Sequence, residues 1–207
     1  MRIIETLEDV HEGTKWLARK QPRFAHALKK AGALPLRRRK DGFEALLDAI
    51  VSQQVSVAAG DAIWKRLEAS KLTGPRKISA ASDQDLRTCG LSRQKIRYAK
   101  ALADARIDYP ALRKLSTEEV TSILTEVPGV GRWTAEIYSM FSLGHADAFA
   151  AGDLALQEAT RILFELQDRP SEAALRAMAR DWSPWRAVAA RLLWHYYHVV
   201  KDRSGIR

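Results

Sequence analysis

Cysteine is almost missing from this chain of 207 residues, where Cys89 stands alone. One thiol closes no internal disulfide, and it cannot supply the thiolate set of an iron–sulfur cluster or a cysteine zinc site. Strand signals are equally scarce: no alternating run of β-branched residues lies between hairpin turns. No stretch nears the roughly 18 consecutive apolar residues that span a bilayer. The opening MRIIETLEDVHEGTKWL is charged where a signal peptide would be apolar. We therefore expect a soluble protein inside the cell, cytoplasmic or nuclear, with no membrane partner. There is no internal repeat and no low-complexity tract. The five histidines, His11, His26, His145, His195 and His198, show no metal-ligand spacing, so no metal is expected.

What is present points to a folded, polyanion-seeking protein. Hydrophobic residues make up 46% of the chain, enough for a core in one domain or two small lobes. Lysine and arginine number 34 against 25 aspartate and glutamate, a net charge of +9. That balance favours nucleic acid as a partner, although a basic surface alone also fits simple solubility.

Helical periodicity runs through nearly the whole text. Helices are expected over 6–19, 24–30 (closed by Gly32), 43–67 (loosened or split at Gly60), 78–89 and 94–106. Others follow over 117–127, 132–143, 154–166, 171–179 and 184–201. The fold class is all-α, with about nine or ten helices. Ser116 or Thr117 ahead of Glu119 reads as a capping box. Arg37-Arg38-Arg39-Lys40 reads as a solvated basic linker or, less simply, a phosphate clamp.

The sharpest local signal is the turn Val127-Pro128-Gly129-Val130-Gly131 between two helices. Pro128 cannot continue the helix, and the glycines admit backbone angles and close approaches that other residues refuse. Such a helix–hairpin–helix can offer N–H groups of Gly129, Val130 and Gly131 to a phosphate at a helix N-terminus. It would hold DNA without reading its bases. Spacing alone leaves an ordinary tight turn equally open. Gly90-Leu91-Ser92-Arg93, a glycine turn into a helix, offers a second backbone contact of the same kind.

Asp153 follows Gly152 and precedes an apolar-patterned helix, which is the place of a capping aspartate. A helix N-terminus also stabilises a carboxylate's negative charge. Cap and catalytic anion are compatible roles.

Four stretches carry a resemblance. They are Val127-Pro-Gly-Val-Gly-Arg-Trp-Thr-Ala-Glu-Ile-Tyr138, Ala151-Gly-Asp-Leu-Ala-Leu-Gln157, Ala49-Ile-Val-Ser-Gln-Gln-Val-Ser-Val-Ala58, and Trp182-Ser-Pro-Trp-Arg186 leading to Leu193-Trp194. In this order and spacing, over about 43–197, the chain resembles the helix–hairpin–helix DNA glycosylases. Within them it is similar to the DNA-3-methyladenine glycosylase II group, in a compact form without the N-terminal β-rich domain.

The resemblance implies two helical lobes with a DNA-binding cleft between them: about 43–143, with the hairpin at 128–131, and about 1–42 plus 144–207. It implies Asp153 as the catalytic residue, and Trp133, Ile137 and Trp194 at the base pocket, Trp194 stacking on the extruded base. Ile137 departs from the family, which has an aromatic residue there. Gln54 falls at the wedge that fills the vacated stack. Gly129, Val130, Gly131, Thr134, Gly90, Ser92 and Arg93 would contact the DNA backbone.

Relatives that nick the strand carry a lysine where this chain has Trp133, so the resemblance implies a monofunctional enzyme. Its expected partner is double-stranded DNA with a damaged, alkylated base, bound by a monomer. No cofactor is implied beyond a structural monovalent cation on the hairpin carbonyls. A non-catalytic helix–hairpin–helix DNA-binding module, or a glycosylase for an oxidised, mismatched or deaminated base, remain the other readings.

Overall fold

A computed structural model describes residues 1–201. Its helices are α1 (Leu7–Lys20), α2 (Pro22–Ala31), α3 (Phe43–Ser52), α4 (Val57–Ala69), α5 (Pro75–Ala80), α6 (Asp83–Thr88) and α7 (Arg93–Asp104). Then come α8 (Tyr109–Leu112), α9 (Thr117–Thr125), α10 (Arg132–Tyr138), α11 (Leu154–Phe164), α12 (Glu172–Met178) and α13 (Arg186–Lys201). A π-helical turn, Ser139–Leu143, continues α10, and a 3-10 turn, Ala179–Trp182, continues α12. Among the described residues the β content is one isolated bridge, Ile3 to His145. The fold is all-α.

The chain divides into two compact units. One is Arg39–Tyr138; the other joins Met1–Arg38 to the described residues from Ser139 to Lys201. In the first unit α3 packs on α4 and α7, α5 and α6 on α7, and α9 on α10, around Leu46, Leu47, Ile50, Leu67 and Ile96. In the second, α13 packs on α1, α2 and α11. Its Ala187, Val188, Ala189 and Ala190 are all buried, so α13 is enclosed on several sides.

Gly13 on α1 allows the close contact with α13: a Cβ there would lie 2.6 Å from Val188 Cγ2 and 2.8 Å from Trp185 Cε3. Because both neighbours are buried, Gly13→Ala is expected to cost about 1–3 kcal/mol by overpacking. Chemical denaturation checks this; unchanged stability would show that α1 and α13 yield at no cost.

Three expected helices are built differently, and α8 (Tyr109–Leu112) lies where none was expected. The long helix over 43–67 is two helices, and its break lies at Gln53–Ser56 instead of Gly60. Gln53 is extended, Gln54 has φ 55°, and the Ser56 side chain accepts from Ala59 N at 3.2 Å to start α4. Gly60 sits buried inside α4, close to the Ser52 side chain. The expected helix over 78–89 is likewise two short ones. Ser82 and Asp85 form a capping box that begins the second. The helix over 132–143 turns π-helical after Tyr138, and Arg38 Nη1 donates to the Phe141 and Ser142 carbonyls at 3.2 and 2.8 Å. Part of the basic linker thus neutralises a helix end. The Ser116–Glu119 capping box forms as expected.

Candidate active site

The loop before α11 is nearly solvent-free: Ala146, Ala148, Ala150 and Ala151 are fully buried. Asp153 N donates to Ala150 O at 3.0 Å, and Gln157 Nε2 donates to Ala151 O at 2.9 Å. These bonds tie the loop to the first turn of the helix it feeds. Asp153 takes an extended conformation and is only 7% exposed. Its Oδ1 accepts from Ala155 N at 2.9 Å, Leu156 N at 3.0 Å and Trp194 Nε1 at 3.1 Å. A carboxylate is therefore held inside the protein by N–H dipoles, with no cationic partner among these three bonds.

Trp194 is fully buried on α13. Its ring lies 5.8 Å from that of Phe141, tilted 32°. Phe141 in turn lies 4.9 Å beneath the guanidinium of Arg191. Arg191 donates to Leu36 O and Ala187 O, while burial, then Arg37 and Arg38, press its pKa down to about 9.

The hairpin forms a separate constellation. Gly129 has φ 93° and sits directly over Tyr98 of α7; a Cβ would come within 2.3 Å of Tyr98 Cγ. Gln53 Nε2 donates to Gly129 O at 2.9 Å. Gly131 is exposed, with open space where its Cβ would be. Behind it, α10 presents Trp133, 39% exposed, while Thr134, Glu136 and Ile137 are buried. The α3–α4 turn carries Gln54 exposed in the left-handed region, flanked by exposed Val55 and Val57. Next to it, Lys95 of α7 is buried and donates to Val51 O at 2.6 Å, near the C-terminus of α3. Desolvation pushes its pKa below the ordinary lysine value.

A family model described as HhH-GPD superfamily base excision DNA repair protein matches residues 47–184. The chain belongs to this superfamily. It is 32% identical to DNA-3-methyladenine glycosylase 1 of Schizosaccharomyces pombe over 178 residues, 82% of this chain and 78% of that protein. Among solved structures it is similar to a DNA-3-methyladenine glycosidase from Bacillus halodurans, with TM-score 0.84 and 28% identity, covering 99% of this chain and 96% of that one. It is also similar to the S. pombe 3-methyladenine DNA glycosylase solved with abasic DNA, with TM-score 0.78 and 27% identity, covering 92% and 97%.

For an HhH-GPD protein, the geometry refines several expected roles. Val130 is buried and its N–H is bonded to Val127 O at 3.0 Å, so that amide is engaged in the turn itself. Thr134 is buried, which turns its side chain from the surface. Gly90, with φ 99°, is exposed, and its missing Cβ leaves room for the Arg66 guanidinium. Ser92 caps α7, and Arg93 is exposed. Trp194 presents no open ring face.

Sequence reasoning missed Gln53 and Lys95, which hold the α3–α4 turn and the hairpin. A polar pair and a lysine within apolar periodicity were the available signals, but only contacts 76 and 44 residues away reveal their use.

The cation implied for the hairpin can be tested against its donors. The carbonyls of Val127, Gly129 and Gly131 each accept an N–H. Each keeps a second lone pair, so neutral oxygen chemistry fits a monovalent ion. Among the described residues no cluster of three or more His, Cys, Asp or Glu suits a more demanding metal.

Proposed function

We propose that this protein is a monofunctional DNA glycosylase. It everts an alkylated purine, of the 3-methyladenine or 7-methylguanine type, from duplex DNA and hydrolyses its N-glycosidic bond with Asp153. The observation that carries the reading is the buried Asp153 carboxylate, held by three N–H donors on one oxygen. Heterolysis of the C1′–N bond sends the electron pair to the base and leaves positive, oxocarbenium-like charge on the sugar. A preorganised anion beside C1′ stabilises that charge more than the ground state. Water then adds to C1′ and loses its proton, leaving an abasic site. An alkylated purine already carries positive charge, and expulsion neutralises it, so a single carboxylate is sufficient machinery. A hairpin cation, if held by the carbonyls of Val127, Gly129 and Gly131, would be structural, and no step passes through it.

Trp133 supports the absence of strand nicking. At this position an indole offers no amine for a Schiff base. Its exposed ring suits recognition of a cationic base. Gly131, exposed and unobstructed at the head of α10, suits close approach of a DNA phosphate. Gln54 at the tip of its turn suits insertion into the duplex, and unstacking costs a few kcal/mol that such a wedge offsets. The S. pombe relative solved with abasic DNA supports DNA as the partner, bound here by one copy of the chain.

Purified protein incubated with methylated duplex DNA is expected to release 3-methyladenine or 7-methylguanine and leave alkali-labile sites. Borohydride should trap no covalent adduct. Failure to release any base would leave a non-catalytic DNA-binding module; a trapped adduct would overturn the monofunctional reading.

A further inference from the structure

We propose that Trp194 is a positioning residue that orients Asp153 through its indole N–H, and not a stacking platform for the extruded base. The proposal rests on the reading of Asp153 as the reacting carboxylate. Stacking needs an open ring face, and Trp194 is fully buried, with Phe141 against its ring. The one polar atom of an indole is a donor, and here it donates to Asp153 Oδ1 at 3.1 Å.

The two backbone donors, Ala155 and Leu156, belong to the first turn of α11, as in any capped helix. The third comes from α13, 41 residues away in sequence. It fixes the carboxylate from a direction that the cap does not supply. The donor is also neutral. A lysine or arginine there would cancel the field that Asp153 directs at a developing oxocarbenium, whereas an N–H dipole orients the carboxylate and leaves its charge intact. The indole is itself held in place: Phe141 packs against it, and Arg191, one turn earlier on α13, covers Phe141 and is anchored on Leu36 O and Ala187 O.

Trp194→Phe in the full chain separates the roles, because it keeps an aromatic face and removes the donor. The single-turnover rate on methylated duplex DNA is expected to fall by about 10- to 100-fold, the loss of one hydrogen bond to a charged group. KM and affinity for abasic-site DNA should stay within about threefold, since those depend on binding. A raised KM with an unchanged rate would indicate stacking and overturn the proposal.

A second measurement is independent of activity and of how Trp194→Phe folds. In ¹⁵N-labelled protein, the Trp194 indole N–H resonance should move upfield in Asp153→Ser, which keeps a helix cap but removes the carboxylate. An unmoved resonance would overturn the hydrogen bond and the proposal with it. If the resonance moves but wild-type protein releases no base, the glycosylase reading fails and the donor–acceptor pair stands.

Discussion

Asparagine in place of Asp153 is expected to end base release, lowering the single-turnover rate on methylated DNA by about a thousandfold or more. Asparagine has the same shape and keeps a side-chain oxygen to accept from Ala155 N, Leu156 N and Trp194 Nε1. It caps a helix as well as aspartate does. The fold, the cap and the indole contact should survive, and one negative charge is lost. Losing a single preorganised electrostatic contact costs other active sites about 10²–10³ in rate. In the proposed mechanism the full charge opposite the developing cation disappears, so the effect should sit at or above the upper end. Abasic-site DNA binding should change little, because the hairpin and its glycines are untouched. Release from Asp153→Asn at more than a tenth of the wild-type rate would reduce Asp153 to a helix cap.

Gly129→Ala is expected to weaken binding to every duplex, damaged or intact, by about tenfold or more, and to lower the melting temperature. Two penalties act at one position. Its φ of 93° lies where L-residues are strained, by about 1–2 kcal/mol. An added Cβ would also fall 2.3, 2.5 and 2.7 Å from Tyr98 Cγ, Cδ2 and Cβ. Turning the ring about its own axis gives no relief, because Tyr98 Cβ and Cγ lie at the root of the side chain and stay in place. The turn must therefore shift, and with it the amides at the head of α10. Tyr98→Ala added to Gly129→Ala should recover part of the stability, because it removes the two ring contacts and leaves the 2.7 Å approach to the Cβ of residue 98 and the φ strain. A double variant no better than the single one would show that the ring contacts contribute nothing and that the Cβ contact and the strain decide. Unchanged affinity in Gly129→Ala would remove the hairpin from the DNA interface.

The two tryptophans show how far the text could be read. Trp133 and Trp194 both lie in helices whose apolar pattern suits a core. Yet Trp133 is 39% exposed and Trp194 fully buried. Periodicity identifies a helix and its general inner face; it does not say which neighbour covers a given ring. Gln54 presents the same limit. Its left-handed backbone breaks the helix over 43–67 at a residue with no breaker signature, while Gly60, the expected weak point, is helical and packed.

Local chemistry by itself determined the all-α class, the capped helix starts, the Pro128–Gly131 turn and the placement of Asp153 at a helix N-terminus. Each of these is set by backbone angles and hydrogen bonds among residues a few positions apart. Tertiary structure alone decided that Gln53 reaches Gly129, that Lys95 is spent on Val51, and that an indole from α13 completes the grip on the Asp153 carboxylate. Those partners are 41 to 76 residues apart. Such pairings follow from how helices pack, which no short window of sequence specifies.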